Sequence, residues 1–237
     1  MRLVHWWTGL QRSFLGAVVA LVTTAAAIAQ TPAQVPAPGP SPVTPELIAK
    51  AEKGDVEAQI RLGYFYAVGV GVAQNDGAAF KWYLKAAEQG NPGAQSSVGF
   101  AYFSGRGVPQ SQKDAIVWLR KAAEKGRVEA QFVLGIIYGG NGGAPLDRAE
   151  FAKWMLMAAE HGHHKAQQII GQAYATGQGV ARDQVEAYKW LTLSAASITG
   201  FARKKLDANK AAIAADMTAA QIKDAEARAA AWTPKKP

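Results

Sequence analysis

The side chains with the most chemical capacity fall into three groups. His161, His163 and His164 stand close together, and imidazole is a common ligand for divalent metals. No Cys exists in the chain and no paired carboxylate accompanies these histidines, so they fall short of the ligand set that holds a zinc ion. They occupy a turn where an equivalent stretch carries Gln89, Asn91 and Pro92, and a solvated turn without metal is expected. The second group is Gly69-Val70-Gly71, Gly105-Arg106-Gly107 and Gly177-Gln178-Gly179, each ahead of a helix start that offers N–H groups to an anion. They lack the strand and the Lys of a phosphate loop, which leaves helix termination as their expected role. The third is Glu88, Glu124 and Glu160, which recur at one interval and suit a structural role better than a single active centre. No nucleophile pairs with a base, so the expectation is no catalytic residue, no cofactor and no enzyme.

That interval organises the chain. Steps of 36 residues relate Gln59, Gln95, Gln131 and Gln167; Gly63, Gly99, Gly135 and Gly171; Tyr66, Tyr102, Tyr138 and Tyr174; and Trp82, Trp118, Trp154 and Trp190. A fixed period of this size signals a solenoid, whose units bury their apolar faces on their neighbours. In each unit the first helix places small or apolar residues on one stripe: Ala58, Leu62 and Tyr66, then Ala94, Val98 and Tyr102, and so on. A Gly inside that helix costs about 1 kcal/mol relative to Ala, so its fourfold recurrence predicts close approach of the partner helix.

The turn glycines supply positive φ, with Asn141 replacing the first of them in the third copy, which also departs at Ala144. The second helices start at Asn75, Ser111, Asp147 and Asp183, all good N-caps. Asp114, Glu150 and Glu186 follow at the spacing of a capping box. The second helix is expected to bury Ala79, Trp82, Tyr83, Ala86 and Ala87, with the four tryptophans forming a core ladder.

The flanks read differently. Arg2 and Arg12 precede a charge-free apolar run from Phe14 to Ala29 that ends Ala27-Ile28-Ala29, the pattern of a cleaved export signal over residues 1–29. The expected location is therefore periplasmic or secreted, after cleavage near Ala29. Residues 30–45 form a proline-rich linker, and 46–54 a capping helix. Four repeats follow over 55–197 (55–90, 91–126, 127–162 and 163–197), then capping helices and a tail over 198–237. In the tail region Ala202 keeps the small position, Arg203 and Asp207 replace the expected Gln and Gly, a last helix presents Ile222, Ala225 and Ala229, and residues 233–237 are expected to be disordered. Loss of residues 1–29 removes two Arg and no acid, leaving a net charge of 24 − 18 = +6. A mildly basic exported protein favours anionic partners, an acidic polysaccharide or a membrane surface among them, and its location disfavours nucleic acid.

The unit Gly54, Ala58, Gln59, Leu62, Gly63, Tyr66, Gly69, Gly71, Val72, Trp82, Tyr83, Lys85, Ala86, Ala87, Glu88, Gly90 resembles the Sel1-like repeat, a relative of the tetratricopeptide repeat. The resemblance covers Gly54 to about Ala196. It implies an all-α fold, an α-α solenoid of helix-turn-helix units in a right-handed superhelix, and an adaptor role in holding other proteins together. It offers no catalytic residues, although some such proteins have been linked to envelope hydrolysis. In this architecture the first helices line a concave groove. The outward positions there are Ile60, Tyr64, Phe100, Phe103, Phe132, Ile136, Gln168 and Gln172, which differ from copy to copy. Several are apolar, and an exposed apolar patch marks a binding surface. They are the predicted site for a protein partner, with a binder of anionic polysaccharide or lipid as the alternative.

Overall fold

The computed structural model describes residues 43–140 and 145–236. The expected export signal, residues 30–42 of the linker, Asn141 and Ala144 lie outside the described residues. Among the described residues there are eleven α-helices and no strands. They are α1 (Pro45–Glu52), α2 (Val56–Val68), α3 (Asp76–Glu88), α4 (Pro92–Ser104), α5 (Gln112–Glu124), α6 (Val128–Tyr138), α7 (Arg148–Glu160), α8 (His164–Thr176), α9 (Gln184–Ala195), α10 (Gly200–Ala214) and α11 (Ala219–Ala230). The chain divides into two compact units, Met1–Ser111 and Gln112–Pro237.

In the first unit, the Thr44 hydroxyl caps α1 by accepting the Leu47 N–H at 3.2 Å, with Pro45 in the first turn. Leu47 and Ala51 then join Ala58, Leu62 and Phe65 in one buried cluster, with Val43, Ile48, Tyr64, Val72 and Trp82 packed around it. The helix α2 ends at Gly69 (φ 77°), in the left-handed region open to Gly. Gly63 meets the aromatic ring of Tyr83 on α3, where a Cβ would sit 2.8 Å from the ring carbons. Close helix approach is therefore the reason for a mid-helix Gly.

In the second unit α6 packs on α5 and α7, and α8 on α7 and α9. Two further helices, α10 and α11, both pack on α9. Leu206 on α10 is in phase with Leu62, Val98, Leu134 and Ile170, and is fully buried with Leu191 and Ala195. The repeat thus continues for one more first helix than the sequence pattern suggested, although Ala202 is exposed. A reciprocal capping box opens α11, between Thr218 and Gln221.

Three expectations need correction. Glu150 and Glu186 do not close capping boxes. The N-cap N–H of each second helix is already engaged by the carbonyl of the repeated Tyr: Asn75 on Tyr66, Ser111 on Tyr102, Asp147 on Tyr138 and Asp183 on Tyr174, at 2.8–2.9 Å. The two carboxylates turn instead to Lys153 and Trp154, and to Lys189 and Arg228. In the third copy Gly140 has a positive φ of 85°, one step beyond Gly139 (φ −72°). Of the four tryptophans only Trp154 and Trp190 are buried, while Trp82 and Trp118 are half-buried under the ammonium groups of Lys85 and Lys121, each 4.3 Å from the ring centre. Finally, the tail is held: the Lys235 N–H donates to Glu160 O at 2.9 Å and its Nζ pairs with the Glu160 carboxylate at 2.8 Å. Trp232 lies edge-on to Trp190, with ring centres 6.1 Å apart.

Candidate functional site

Each first helix is positioned by one repeated side chain. Gln59, Gln95, Gln131 and Gln167 are buried, and each donates its amide N–H to the last turn of the preceding helix, at Ala51, Ala87, Ala123 and Ala159 O, over 3.0–3.3 Å. That satisfies a helix-end carbonyl that water cannot reach. The amide oxygen of Gln59 accepts from Gln89 Nε2, and that of Gln131 from His161 Nδ1, both at 2.8 Å. Arg203 takes over the same task in the last copy: its guanidinium donates to Ala195 O at 2.8 Å, and Asp207 at the former Gly position balances its charge at 2.9 Å. By residue type Arg203 is a break in the pattern; its 36-residue phase with Gln167 is the signal that gives it the Gln role.

The predicted outward residues divide. Ile60, Tyr64, Phe100 and Phe103 in the first unit are half-buried, as are Gln168 and Gln172 in the second. Tyr64 packs partly on the first core cluster and lies tilted against Phe65, 6.0 Å between centroids. Phe132 and Ile136 are not outward: only 3% and 5% of their surface is exposed. The Phe132 ring stacks on His163 with centroids 4.2 Å apart, so it serves the packing of its own unit. Helical spacing identified the face but not how closely neighbours shut over it.

The histidines are also structural. His163 Nδ1 accepts the Ala166 N–H at 3.1 Å and so caps α8, the role Asn91 plays for α4. Burial, assisted by the nearby His164 and Lys165 charges, pushes its pKa down to about 4, so the ring is neutral. This replaces the expected solvated turn. Among the described residues no group of three or more His, Cys, Asp or Glu is placed to hold a metal ion.

The turn glycines follow suit. A Cβ on Gly107 or Gly179 would overlap the carbonyl of Asp76 or Arg148 in the previous copy. Backbone lies against backbone there, which accounts for Gly107 and Gly179 more fully than helix termination does.

The Sel1 repeat family matches this chain four times, at residues 56–91, 92–126, 128–163 and 164–197. The chain belongs to the Sel1 repeat family. Among solved structures it is similar to a Sel1 repeat protein from Oxalobacter formigenes, at 30% identity and TM-score 0.61, over 79% of this chain and 73% of that one. It is also similar to a protective antigen of uropathogenic Escherichia coli strains that displays an SLR fold, at 41% identity and TM-score 0.61, over 65% of this chain. This chain spans about a third of that antigen's length, the match covering 33% of it. A search of curated proteins found no match. Sel1 repeat proteins generally act as scaffolds for protein–protein interaction. In this Sel1 repeat chain the invariant Gln, Gly and Tyr positions are consumed by packing, and what differs between copies is the outer side of the first helices.

Proposed function

We propose that this Sel1 repeat chain is a non-catalytic scaffold, exported to the cell envelope, that holds a protein partner on the outer faces of its first helices. The observation that carries the proposal is the incomplete burial of Tyr64 on α2 and of Phe100 and Phe103 on α4, in-phase first helices of one unit. Aromatic side chains bring large contact area at low entropic cost, and they anchor many interfaces. Ile60 extends the same face, and Gln168 and Gln172 on α8 are the corresponding offerings of the second unit. Phe132 and Ile136 drop out of the proposed site because they are buried. Export rests on the sequence of residues 1–29, and the identity of the partner is open.

The test has two arms. Expressed in a Gram-negative host, the protein should fractionate with the periplasm and begin at Gln30. Crosslinked in the envelope, it should capture the same proteins reproducibly, and Y64S/F100S/F103S should lose them while its circular dichroism stays native. Capture that the triple variant retains removes the proposed face. Recovery from the cytoplasm with Met1 intact removes export.

A further inference from the structure

A terminal helix of a solenoid closes an apolar end and is normally polar on its outer side. The helix α10 departs from this. Phe201 is 84% exposed, far beyond any other large apolar residue among those described; the next most exposed are Val117 and Leu146 at 46%. Helical spacing sets Phe201, Lys204, Lys205, Ala208, Ala212 and Ala215 on one side, opposite the buried Leu206 and the half-buried Ile213. All six are exposed. The helix has one acid, Asp207, and it is held by Arg203 at 2.9 Å on the flank. Neither Lys204 nor Lys205 makes an ion pair among the described residues. The outer face is therefore one protruding aromatic ring, two ammonium groups and alanine, with the exposed Asp216 just beyond its C-terminal end.

From this arrangement we infer that the outer face of α10 docks on an anionic lipid surface. Three features favour lipid over a folded protein. The face is a single helix side bearing small residues, with nothing to match the contour of a rigid partner. Its aromatic ring is exposed to solvent, and such rings favour a headgroup layer. Its two lysines are unopposed, and each such charge gains from a negative leaflet. The contact would be weak and reversible and would concentrate the scaffold at a membrane. It does not depend on the protein-partner proposal.

The chain lacks Cys, so a single Cys placed at Ala208 and tagged with an environment-sensitive fluorophore reports on this face alone, whatever other segments do. Vesicles of phosphatidylglycerol and phosphatidylethanolamine should shift its emission to the blue, and phosphatidylcholine vesicles should not. F201S should weaken the response on the order of 10-fold, as expected for losing one buried aromatic ring. K204E/K205E should abolish it at moderate salt, with circular dichroism unchanged in both variants. No shift on anionic vesicles at low salt overturns the assignment. So does a shift that both variants retain, or vesicle pelleting without any shift. A shift produced by lipid-free envelope protein and not by vesicles reassigns the face to a protein partner and overturns it too.

Discussion

At Gly63 an added methyl would come within 2.8 Å of the Tyr83 ring, and at Gly135 within 2.8 Å of Met155. The two obstacles differ: the Tyr83 ring is fixed close to its own backbone, whereas a thioether chain can bend aside. Gly63→Ala is therefore expected to lower stability by about 1–3 kcal/mol, outweighing the ~1 kcal/mol that Ala contributes to an isolated helix. Gly135→Ala should cost clearly less, and urea midpoints of the two variants give the order. His163 supplies a pH prediction. Its folded pKa of about 4 lies below the ordinary 6.5, so the unfolded chain takes up the proton first. Its contribution is complete above pH 6.5 and is lost as pH falls from 6.5 toward 4. The loss should be about 3 kcal/mol. His163→Asn keeps a capping side chain without the titrating ring, so its melting temperature should fall less over that range than that of the unaltered chain. Equal falls would show that the imidazole is not the group responsible.

Between elements, burial decides the cost of each tryptophan. Trp154 is buried and its indole N–H donates to Glu150 at 2.8 Å, so Trp154→Ala should cost about 3–5 kcal/mol. Trp118 keeps part of its surface in water beneath Lys121, and its removal should cost on the order of 2 kcal/mol. The turns sort in the same way. Gly177 and Gly179 both have positive φ, but a Cβ at Gly177 meets nothing nearer than 3.8 Å while one at Gly179 overlaps the Arg148 carbonyl. Gly177→Ala should cost about 1 kcal/mol of backbone strain, and Gly179→Ala more, read as a larger drop in melting temperature. These contrasts also mark what the sequence could tell. The helix pairs, their buried stripes and the reason for the mid-helix Gly follow from residue types in phase. The use of Glu150 and Glu186 did not, because the Tyr138 and Tyr174 carbonyls that displace a capping box come from another helix. Phe132 and Ile136 share the helix face of residues that remain half-open, and only their neighbours distinguish them. Arg203 holds a Gln position with different chemistry, and the Lys235–Glu160 contact joins residues no local pattern connects.

For the whole molecule, the +6 charge of residues 30–237 and the exposed face of α10 favour anionic surfaces, while the half-open aromatics of α2 and α4 favour a protein. The two kinds of binding respond differently to salt: lipid docking should weaken steeply, the aromatic contact little. The repeated Gln side chains are spent within the fold, so recognition is left to the side chains that change between copies. The most direct measurement is backbone hydrogen exchange with and without a captured partner. Slowed exchange should map to the first helices, above all Val56–Val68 and Pro92–Ser104, and leave the second helices as they were. Protection confined to the second helices or to the turns, with those two segments unchanged, would contradict the account.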